Sequence, residues 1–280
     1  MSAAFIHFKC RNNLYPDRMK EVQRLYVPDD KVKWEIEWPM YDPPAYTSQS
    51  VIGKEWADPD LIDEHFQPQW NSVDGCINRT SYTAVYSIDI DSGPVNPIGR
   101  TGLKGRGLLG KWGPNHAADP IVTRWKQGGS HKLSKKPILQ FVAIKRRDGG
   151  EWAIPGGMVD CGEAVTESLK REFMEETLNI MNKSEDEKVE LEQLLKRFFS
   201  HGDTVYRGYV DDPRNTDNAW METTAVHFHD EDNESVGALP LEAGDDAVGV
   251  RWMDIDESLN LYASHTSFIK TVVDKMKAHW

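Results

Sequence analysis

Residues 156–179 read GGMVDCGEAVTESLKREFMEETLN, and this stretch decides the fold. It opens on a glycine turn around Gly157 and continues without a helix breaker from residue 163 onward. We predict a helix over residues 164–177, because apolar side chains recur at intervals of four and form a stripe along one edge. The residues of that stripe are Val165, Leu169 and Phe173.

The same predicted helix carries three acidic residues close together. Glu172 and Glu176 are one helical turn apart and Glu175 lies between them, so their carboxylates share about a third of the helix circumference. Like charges at this spacing repel one another on a solvated surface. A hard divalent cation such as Mg²⁺ or Mn²⁺ would relieve the repulsion, since it binds carboxylate oxygens together with water and substrate phosphate. The alternative is an ordinary charged outer face.

A longer pattern around these carboxylates narrows the choice. Gly157 is followed after five residues by Glu163, and after seven more by residues 171–176, REFMEE. This spacing resembles the signature of the Nudix hydrolase family. The pattern departs from the family at its end, where Leu178 and Asn179 stand in place of Gly and an apolar residue. The departure concerns the C-terminal turn of the helix, because Leu adopts a left-handed conformation less easily than Gly.

Composition bounds the class of protein. The chain has 280 residues, a 39% hydrophobic share and a net charge of -12, which indicate a globular protein and disfavour general nucleic-acid binding. No apolar run approaches the roughly 20 residues of a membrane span, so we predict no direct membrane insertion. Residues 1–20 have only a weak transit-peptide character. The three cysteines, scattered and odd in number, predict no disulfide framework and fit a reducing compartment.

The order of predicted elements indicates an α/β fold. From about residue 120 onward strands and helices alternate, which is typical of an α/β/α sandwich with a mixed sheet. We predict a smaller β-rich N-terminal domain over residues 1–118, which includes an extended arm and a strand at 32–41, and a catalytic domain over residues 119–280. The predicted strands of the second domain are 138–146, 151–154, 204–210, 219–228 and 249–253, and its further helices are 185–199 and 265–279.

A glycine-rich, basic segment over residues 99–125 joins the two predicted domains. From Arg100 to Arg147 the chain carries twelve Lys or Arg residues and one acid, Asp119. In an otherwise acidic protein this segment suggests local phosphate recognition, and we expect it to contribute to the substrate cleft. A solvated loop whose charges offset acids elsewhere explains the composition equally well.

Further segments resemble one branch of the Nudix family. They are residues 99–125, 150–160, 211–223, 241–247 and 261–265. The branch contains the mitochondrial ADP-ribose pyrophosphatases and the Nudix-homology domain of the melastatin-type, ADP-ribose-gated cation channel. It implies a Nudix fold and the Mg²⁺-dependent hydrolysis of ADP-ribose to AMP and ribose 5-phosphate, with Mn²⁺ as a substitute. Water attacks the diphosphate in this reaction.

The resemblance also implies roles for individual residues. Glu172, Glu175 and Glu176 would hold the metal, with Arg171 and Glu163 supporting them, although an ordinary helix ion-pair ladder is the alternative for the last two. The base that activates water is expected within residues 241–247. Asp245 and Asp246 are the preferred candidates, and Glu242 is the third. The expected substrate contacts, each with a structural role as the alternative, are His116, Asp119, Arg214, Asp217, Tyr262 and Ser264.

Two other functions remain open at this point. MYDPPAYT at residues 40–47 resembles the channel's domain, so the chain could sense ADP-ribose for a tetrameric channel, with or without hydrolysis. A Nudix enzyme for another dinucleoside or sugar diphosphate is the third possibility. The expected location is cytoplasmic for a channel domain and mitochondrial for a free enzyme.

Overall fold

The computed structural model of the protein describes residues 7–90, 93–147, 150–178, 183–243 and 247–280. The chain forms two compact units. The first contains Met1–His116 and Gly208–Glu222, and the second contains Ala117–Arg207 and Thr223–Trp280. The sequence pattern predicts a single boundary after residue 118, whereas the chain returns to the first unit for Gly208–Glu222.

The returning segment belongs to the first unit because of its hydrogen bonds there. Asp217 accepts a hydrogen bond from the backbone N–H of Thr101 at 2.7 Å, and its own N–H donates to the carbonyl of Leu103 at 2.8 Å. The side chain of Asn96 donates to the carbonyl of Thr216 at 3.0 Å. These contacts join residues more than 100 positions apart in the chain, and hydrophobic periodicity carries no information on them.

The first unit contains little regular structure. A short 3₁₀ helix spans Asp29–Lys31. Strand β1 (Ala45–Thr47) pairs in parallel with β6 (Lys104–Gly107). The described residues of this unit also form two antiparallel pairs of two-residue strands: β2 (Val73–Asp74) with β3 (Ile77–Asn78), and β4 (Ile88–Asp89) with β5 (Gly93–Pro94).

The strand predicted at residues 32–41 is wrong, since this segment forms turns. Its aromatic side chains surround the guanidinium of Arg100, which lies 4.8 Å from the Trp34 ring centroid and 5.1 Å from that of Tyr41. The indole N–H of Trp34 also donates to the carbonyl of Asn96 at 2.8 Å. Cation–π contacts with a distant arginine therefore decide a conformation that the alternating pattern assigned to a sheet.

Within the described part of the chain, a seven-stranded sheet forms the centre of the second unit. The strands are β7 (Gly113–Ser130), β8 (Pro137–Arg146), β9 (Trp152–Ala153), β10 (Gly157–Met158), β11 (Asp203–Tyr209), β12 (Ala219–Asp230) and β13 (Ala247–Asp254). The main path of the sheet runs in the order β11-β12-β7-β8-β13, with β10 paired to β7 and β9 paired to β8. The pairs β7–β8, β8–β13, β8–β9 and β7–β10 are antiparallel.

Helices cover both faces of this sheet. Helix α3 (His265–Met276) packs through Phe268 and Ile269 on the face that carries Phe141. Helices α1 (Val165–Thr177) and α2 (Glu185–Phe198) pack on the opposite face, which carries Val142. Because successive side chains of a strand point to opposite faces, the apolar run of β8 supplies both cores. The predicted α/β class, with a sheet between helices, is confirmed.

The C-terminal end of α1 resolves the departure at Leu178. The helix ends at Thr177, and Leu178 has φ -122° and ψ -1°, so no left-handed residue is needed there. The Leu178 N–H donates to the carbonyl of Met174 at 3.3 Å, and its side chain is buried in the core beneath α1. Leu178 also forms a parallel bridge with Glu242. Apolar burial replaces the glycine cap at this position.

The expectation that the cysteines are reduced is wrong in part. Cys76 and Cys161 are disulfide-bonded, and Cys10 is a buried free thiol. Disulfide formation depends on distances in the folded chain, so an odd number of scattered cysteines does not exclude it. None of the helices in the described ranges combines the length and hydropathy needed to cross a bilayer.

Candidate active site

Helix α1 is attached to the loop before it through Glu163. The Glu163 carboxylate accepts hydrogen bonds from the Ser168 hydroxyl at 2.6 Å and from the Asp160 N–H at 3.2 Å. It also receives two hydrogen bonds from the Arg171 guanidinium, both of 3.0 Å. These arginine hydrogen bonds are the main reason why the pKa of Glu163 falls to about 2. Glu163 is therefore ionised and fixes the direction of Arg171.

Arg171 lies between three carboxylates of this segment. Its Nη1 donates to Glu172 at 2.8 Å and to Glu175 at 3.1 Å, while its other nitrogens bind Glu163. Nη2 also donates to the carbonyl of Met158 in β10 at 3.0 Å. Charge-assisted hydrogen bonds of this kind are directional, so Arg171 holds the acidic residues of α1 in one arrangement.

Glu172 is the acidic side chain of this group whose pKa is raised. It is only 8% exposed, and burial raises the pKa of its carboxyl to about 7 although Arg171 acts in the opposite direction. Both carboxylate oxygens lie 2.5 Å from the position that a Cβ on Gly157 would occupy. An alanine at 157 would therefore displace the Glu172 carboxylate from its place beside the loop.

Glu176 points to the same loop. Its Oε2 accepts a hydrogen bond from the N–H of Gly156 at 2.8 Å, and the side chain is buried. Glu175 is exposed beside them. The described residues contain no group of three or more His, Cys, Asp or Glu side chains already arranged to hold a metal ion. The oxygen donors nevertheless suit a hard cation, and burial is the main cause of the raised pKa of Glu172, with Glu175 and Glu163 as smaller contributions in the same direction.

The segment that carries Tyr262 and Ser264 is joined to β9, just before the same loop. The Tyr262 N–H donates to the carbonyl of Trp152 at 2.9 Å, and the N–H of Ile154 donates to His265 Nδ1 at 3.0 Å. The Arg146 guanidinium lies 4.2 Å from the Tyr262 ring centroid. Ser264 forms the N-terminus of α3 with a half-exposed side chain. Sequence analysis missed His265, since a histidine at a helix start gives no signal of this contact.

Asp119 occupies a buried place in β7. Its carboxylate accepts a hydrogen bond from the Thr223 hydroxyl at 2.6 Å. A Cβ on Gly156 would overlap its other oxygen, so Asp119 contacts the loop that carries the Glu176 hydrogen bond. The structure thus brings Asp119, Gly156 and Glu176 together, and Asp119 supports the loop from the side of the sheet.

In the first unit, Arg214 and Asp217 have different environments. Arg214 is half-exposed and forms a bidentate pair with Asp212, through Nε to Oδ1 and Nη2 to Oδ2, both at 2.8 Å. Asp217 is buried, and its carboxylate accepts hydrogen bonds from the Tyr41 hydroxyl at 2.6 Å and from Thr101. Burial raises the pKa of Asp217. This carboxylate stabilises the first unit, which disfavours its expected contact with ribose.

His116 belongs to a polar cluster of the first unit that sequence analysis missed. Its ring stacks on Tyr82 with 4.4 Å between centroids, and its Nε2 lies 3.8 Å from the carboxylate of Glu222. Glu222 is fully buried and accepts hydrogen bonds from the Ser81 hydroxyl and the Trp220 indole. The only sequence signal was a single acid, Glu222, within residues 219–228 of β12.

The two residues named as the base, Asp245 and Asp246, lie outside the described residues. Glu242, the third candidate, is exposed, and its backbone N–H donates to the carbonyl of Thr177 at the end of α1 at 2.8 Å. Its carboxylate lies 4.0 Å from the Lys183 ammonium. Residues 241–243 therefore run beside the C-terminal end of the acidic helix.

The basic segment contains two arginines that the fold uses internally. Arg100 donates to the carbonyls of Lys31, Lys33 and Ile36, and Arg106 donates to those of Asp58 and Gly110. Both side chains are buried. Neither guanidinium is thus available for phosphate, and for these two residues the phosphate interpretation is wrong.

Comparison with known proteins places this geometry in a family. Residues 134–275 match the NUDIX domain, and residues 27–113 match the NUDT9-like N-terminal domain. The chain therefore belongs to the Nudix family of hydrolases, as its signature predicts. Members of this family generally need a divalent metal ion, in agreement with the oxygen donors on α1.

The relatives of this chain include an ADP-ribose pyrophosphatase and a cation channel protein. The chain is 56% identical over 281 residues to "ADP-ribose pyrophosphatase, mitochondrial" of Rattus norvegicus, covering 98% of this chain and 79% of the relative. It is 46% identical over 274 residues to "Transient receptor potential cation channel subfamily M member-like 2" of Nematostella vectensis, covering 95% of this chain and 18% of the channel. A solved MutT/nudix family protein from Enterococcus faecalis matches at 19% identity over 59% of this chain and 62% of that protein, with a TM-score of 0.42.

Proposed function

We propose that this protein hydrolyses ADP-ribose to AMP and ribose 5-phosphate with Mg²⁺ bound at the carboxylates of α1. The observation that carries the proposal is the arrangement around Arg171, which orients Glu172 and Glu175 while Glu172 is buried with a raised pKa. The similarity to the rat mitochondrial ADP-ribose pyrophosphatase supports the choice of substrate. Mn²⁺ is expected to substitute, since it accepts the same oxygen ligands.

Glu172, Glu175 and Glu176 would hold the divalent ion. When bound, the ion offsets the charge of the diphosphate and increases the acidity of water at the site. Arg171 keeps two of these carboxylates in place, because its Nη1 donates a hydrogen bond to one oxygen of each. Glu163, ionised through its own contacts with Arg171, prevents the guanidinium from turning away.

The other proposed roles follow the family resemblance. Asp245 or Asp246 is the proposed base that removes a proton from the attacking water, and Glu242 is the third candidate. The proposed substrate contacts are His116, Arg214, Tyr262 and Ser264. Asp119 is proposed to act through the loop at Gly156, because its carboxylate is buried against that loop. Asp217 is left out of the proposal, since its oxygens already accept hydrogen bonds inside the first unit.

The decisive experiment measures AMP by chromatography after incubation with ADP-ribose and Mg²⁺. We expect Glu172→Gln to lower kcat/KM by about 10²-fold or more, because the amide loses the charge that a divalent ion requires. Glu167→Gln is the matched control on the same helix, as Glu167 is exposed and forms an ion pair with Lys170 at 2.7 Å. Its activity should stay within about twofold of the unmodified protein.

Two results would contradict the proposal. One is AMP formation that continues unchanged in excess chelator, and the other is equal activity in Glu172→Gln and Glu167→Gln. A panel of dinucleoside and sugar diphosphates tests the substrate. A higher kcat/KM for another diphosphate than for ADP-ribose would assign the protein a different substrate within the same reaction class.

A second candidate function is ADP-ribose sensing as the Nudix-homology domain of a cation channel. The 46% identity to the Nematostella vectensis channel protein over 95% of this chain favours it. Micromolar binding of ADP-ribose by calorimetry, with no AMP formed in Mg²⁺, would support the sensor. An enzyme of this kind is expected in mitochondria and a channel domain in the cytoplasm, and subcellular fractionation of the full-length protein separates the two.

A further inference from the structure

The N-terminal arm, defined here as residues 7–27, lies in the first unit together with the Arg214 turn, defined here as residues 212–215. Two arm side chains, Tyr15 and Arg24, are buried. The Arg24 guanidinium lies 5.0 Å from the centroid of the Tyr15 ring, so the two side chains stack. Neither residue belongs to the Nudix signature, and the matched N-terminal family domain begins at residue 27.

These two side chains hold three successive carbonyl groups of the Arg214 turn. The Tyr15 hydroxyl donates to the carbonyl of Arg214 at 2.9 Å. Nη2 of Arg24 donates to the carbonyls of Pro213 at 2.7 Å and Asn215 at 2.9 Å. Hydrogen bonds on three consecutive peptide groups fix the backbone of the turn, because no group can rotate without breaking one of them.

The backbone conformation of the Arg214 turn fixes the direction of the Arg214 side chain. The N–H of Arg214 and its Nε both donate to the same oxygen of Asp212, at 2.8 Å each. Asp212 is buried, with only 2% of its surface exposed, so the surrounding residues hold its side chain in place. The guanidinium is therefore aimed by a bidentate pair whose geometry depends on the peptide conformation at residues 212–215.

The Tyr15 hydroxyl is itself fixed from the other side. It accepts a hydrogen bond from the N–H of Leu108 at 2.7 Å, and Gly107 leaves no room for a Cβ beside it. Burial raises the pKa of Tyr15 far above its ordinary value, so the hydroxyl keeps its proton and remains a donor to Arg214. One tyrosine thus joins the glycine-rich segment to the Arg214 turn.

We propose that Tyr15 and Arg24 are positioning residues for substrate binding, which hold the turn so that Arg214 meets the anionic or hydroxyl groups of the substrate. This inference rests on the proposed function, in which Arg214 contacts ADP-ribose. The N-terminal arm then contributes to substrate binding through its contacts with the Arg214 turn. Loosening the turn weakens the ground-state contact of Arg214 and leaves the carboxylates of α1 in place, so the effect falls on KM.

The test is a double-mutant cycle on steady-state AMP formation. Tyr15→Phe keeps the ring and removes the hydroxyl, together with its hydrogen bonds to Arg214 and from Leu108. We expect KM to rise about 5- to 10-fold with kcat within about twofold, since the turn loses its contact with Tyr15. In an Arg214→Lys background the same change should alter KM by less than about twofold, because the group that Tyr15 positions is already gone. Tyr26→Phe is the matched control, as Tyr26 lies on the same arm but is 66% exposed.

An equal rise in KM in both backgrounds would overturn the proposal, and so would a fall in kcat at unchanged KM or an equal effect of Tyr26→Phe. The melting temperature of each variant is measured alongside, and Arg24→Lys replaces Tyr15→Phe in the cycle if the latter is unfolded at assay temperature. If the unmodified protein forms no AMP, the proposed reaction fails. The cycle is then run on the Kd of ADP-ribose by calorimetry, where coupling between Tyr15 and Arg214 supports the inference and its absence refutes it.

Discussion

Acid is expected to destabilise the second unit through one buried histidine in β12. His227 is 5% exposed, and its Nε2 lies 2.7 Å from the Thr123 hydroxyl, whose oxygen is 2.8 Å from Nδ1 of His229. Burial lowers the pKa of His227 from 6.5 to about 4, and the neighbouring His229 acts in the same direction. A protonated imidazole in this place has lost its hydration and faces a second histidine.

The sign of the effect follows from linkage between protonation and folding. In the unfolded chain His227 takes up a proton near pH 6.5, whereas in the folded protein it does so only near pH 4. Stability that is fully present above the unfolded pKa is therefore lost as the pH falls toward the folded pKa. The two values correspond to a total of about 3 kcal/mol, of which about 2 kcal/mol is lost between roughly pH 7.5 and pH 5.

Urea denaturation at these two pH values measures the loss. Between roughly pH 7.5 and pH 5 the unmodified protein should lose about 2 kcal/mol more of its free energy of unfolding than His227→Gln loses. The reason is that glutamine does not titrate. His201→Gln is the control, since His201 is exposed. Titration of the imidazole Cε1–H resonance by NMR should give a midpoint near pH 4 for the signal that His227→Gln removes.

An equal loss of stability in His227→Gln and the unmodified protein would refute the assignment. A midpoint of the His227 resonance near 6.5 would refute the cause, since it would mean that the folded environment does not penalise the charged imidazole.

Two further substitutions test the packing of the loop and of the first unit. Gly157→Ala places a methyl group 2.5 Å from the Glu172 carboxylate. We expect kcat/KM for ADP-ribose to fall about 10-fold or more while the melting temperature changes little. Gly249→Ala is the control and should leave AMP formation unchanged, because the nearest atom to its added methyl group lies at 3.6 Å. Arg79→Ala removes the guanidinium that lies 2.7 Å from the buried Asp58 carboxylate, and it should lower the free energy of unfolding, measured in urea, by about 3–5 kcal/mol. Loss of the exposed ion pair between Lys104 and Asp42 should cost less than about 1 kcal/mol. Equal effects within either pair would contradict the reasoning.

Local chemistry was sufficient to predict the helices and most strands of the second unit, whereas the strands β7 and β10 were not predicted. The apolar stripe of α1 and the doubly apolar run of β8 depend on the periods of helix and strand, which a sequence displays directly. The predicted helix at 164–177 and the structure's Val165–Thr177 agree to one residue. The acidic residues of α1 are visible for the same reason, because residues four apart on a helix are neighbours whatever the helix packs against.

Only the tertiary structure decided how charged side chains of the first unit are used. Arg100 and Asp217 have the composition of ligand-binding residues, yet both are buried and bind partners more than 60 positions away in the chain. The strand predicted at residues 32–41 failed for the same reason, since Arg100 gathers its aromatic rings. A sequence reports which groups can form hydrogen bonds and ion pairs, but burial and distance after folding determine which partner each group receives.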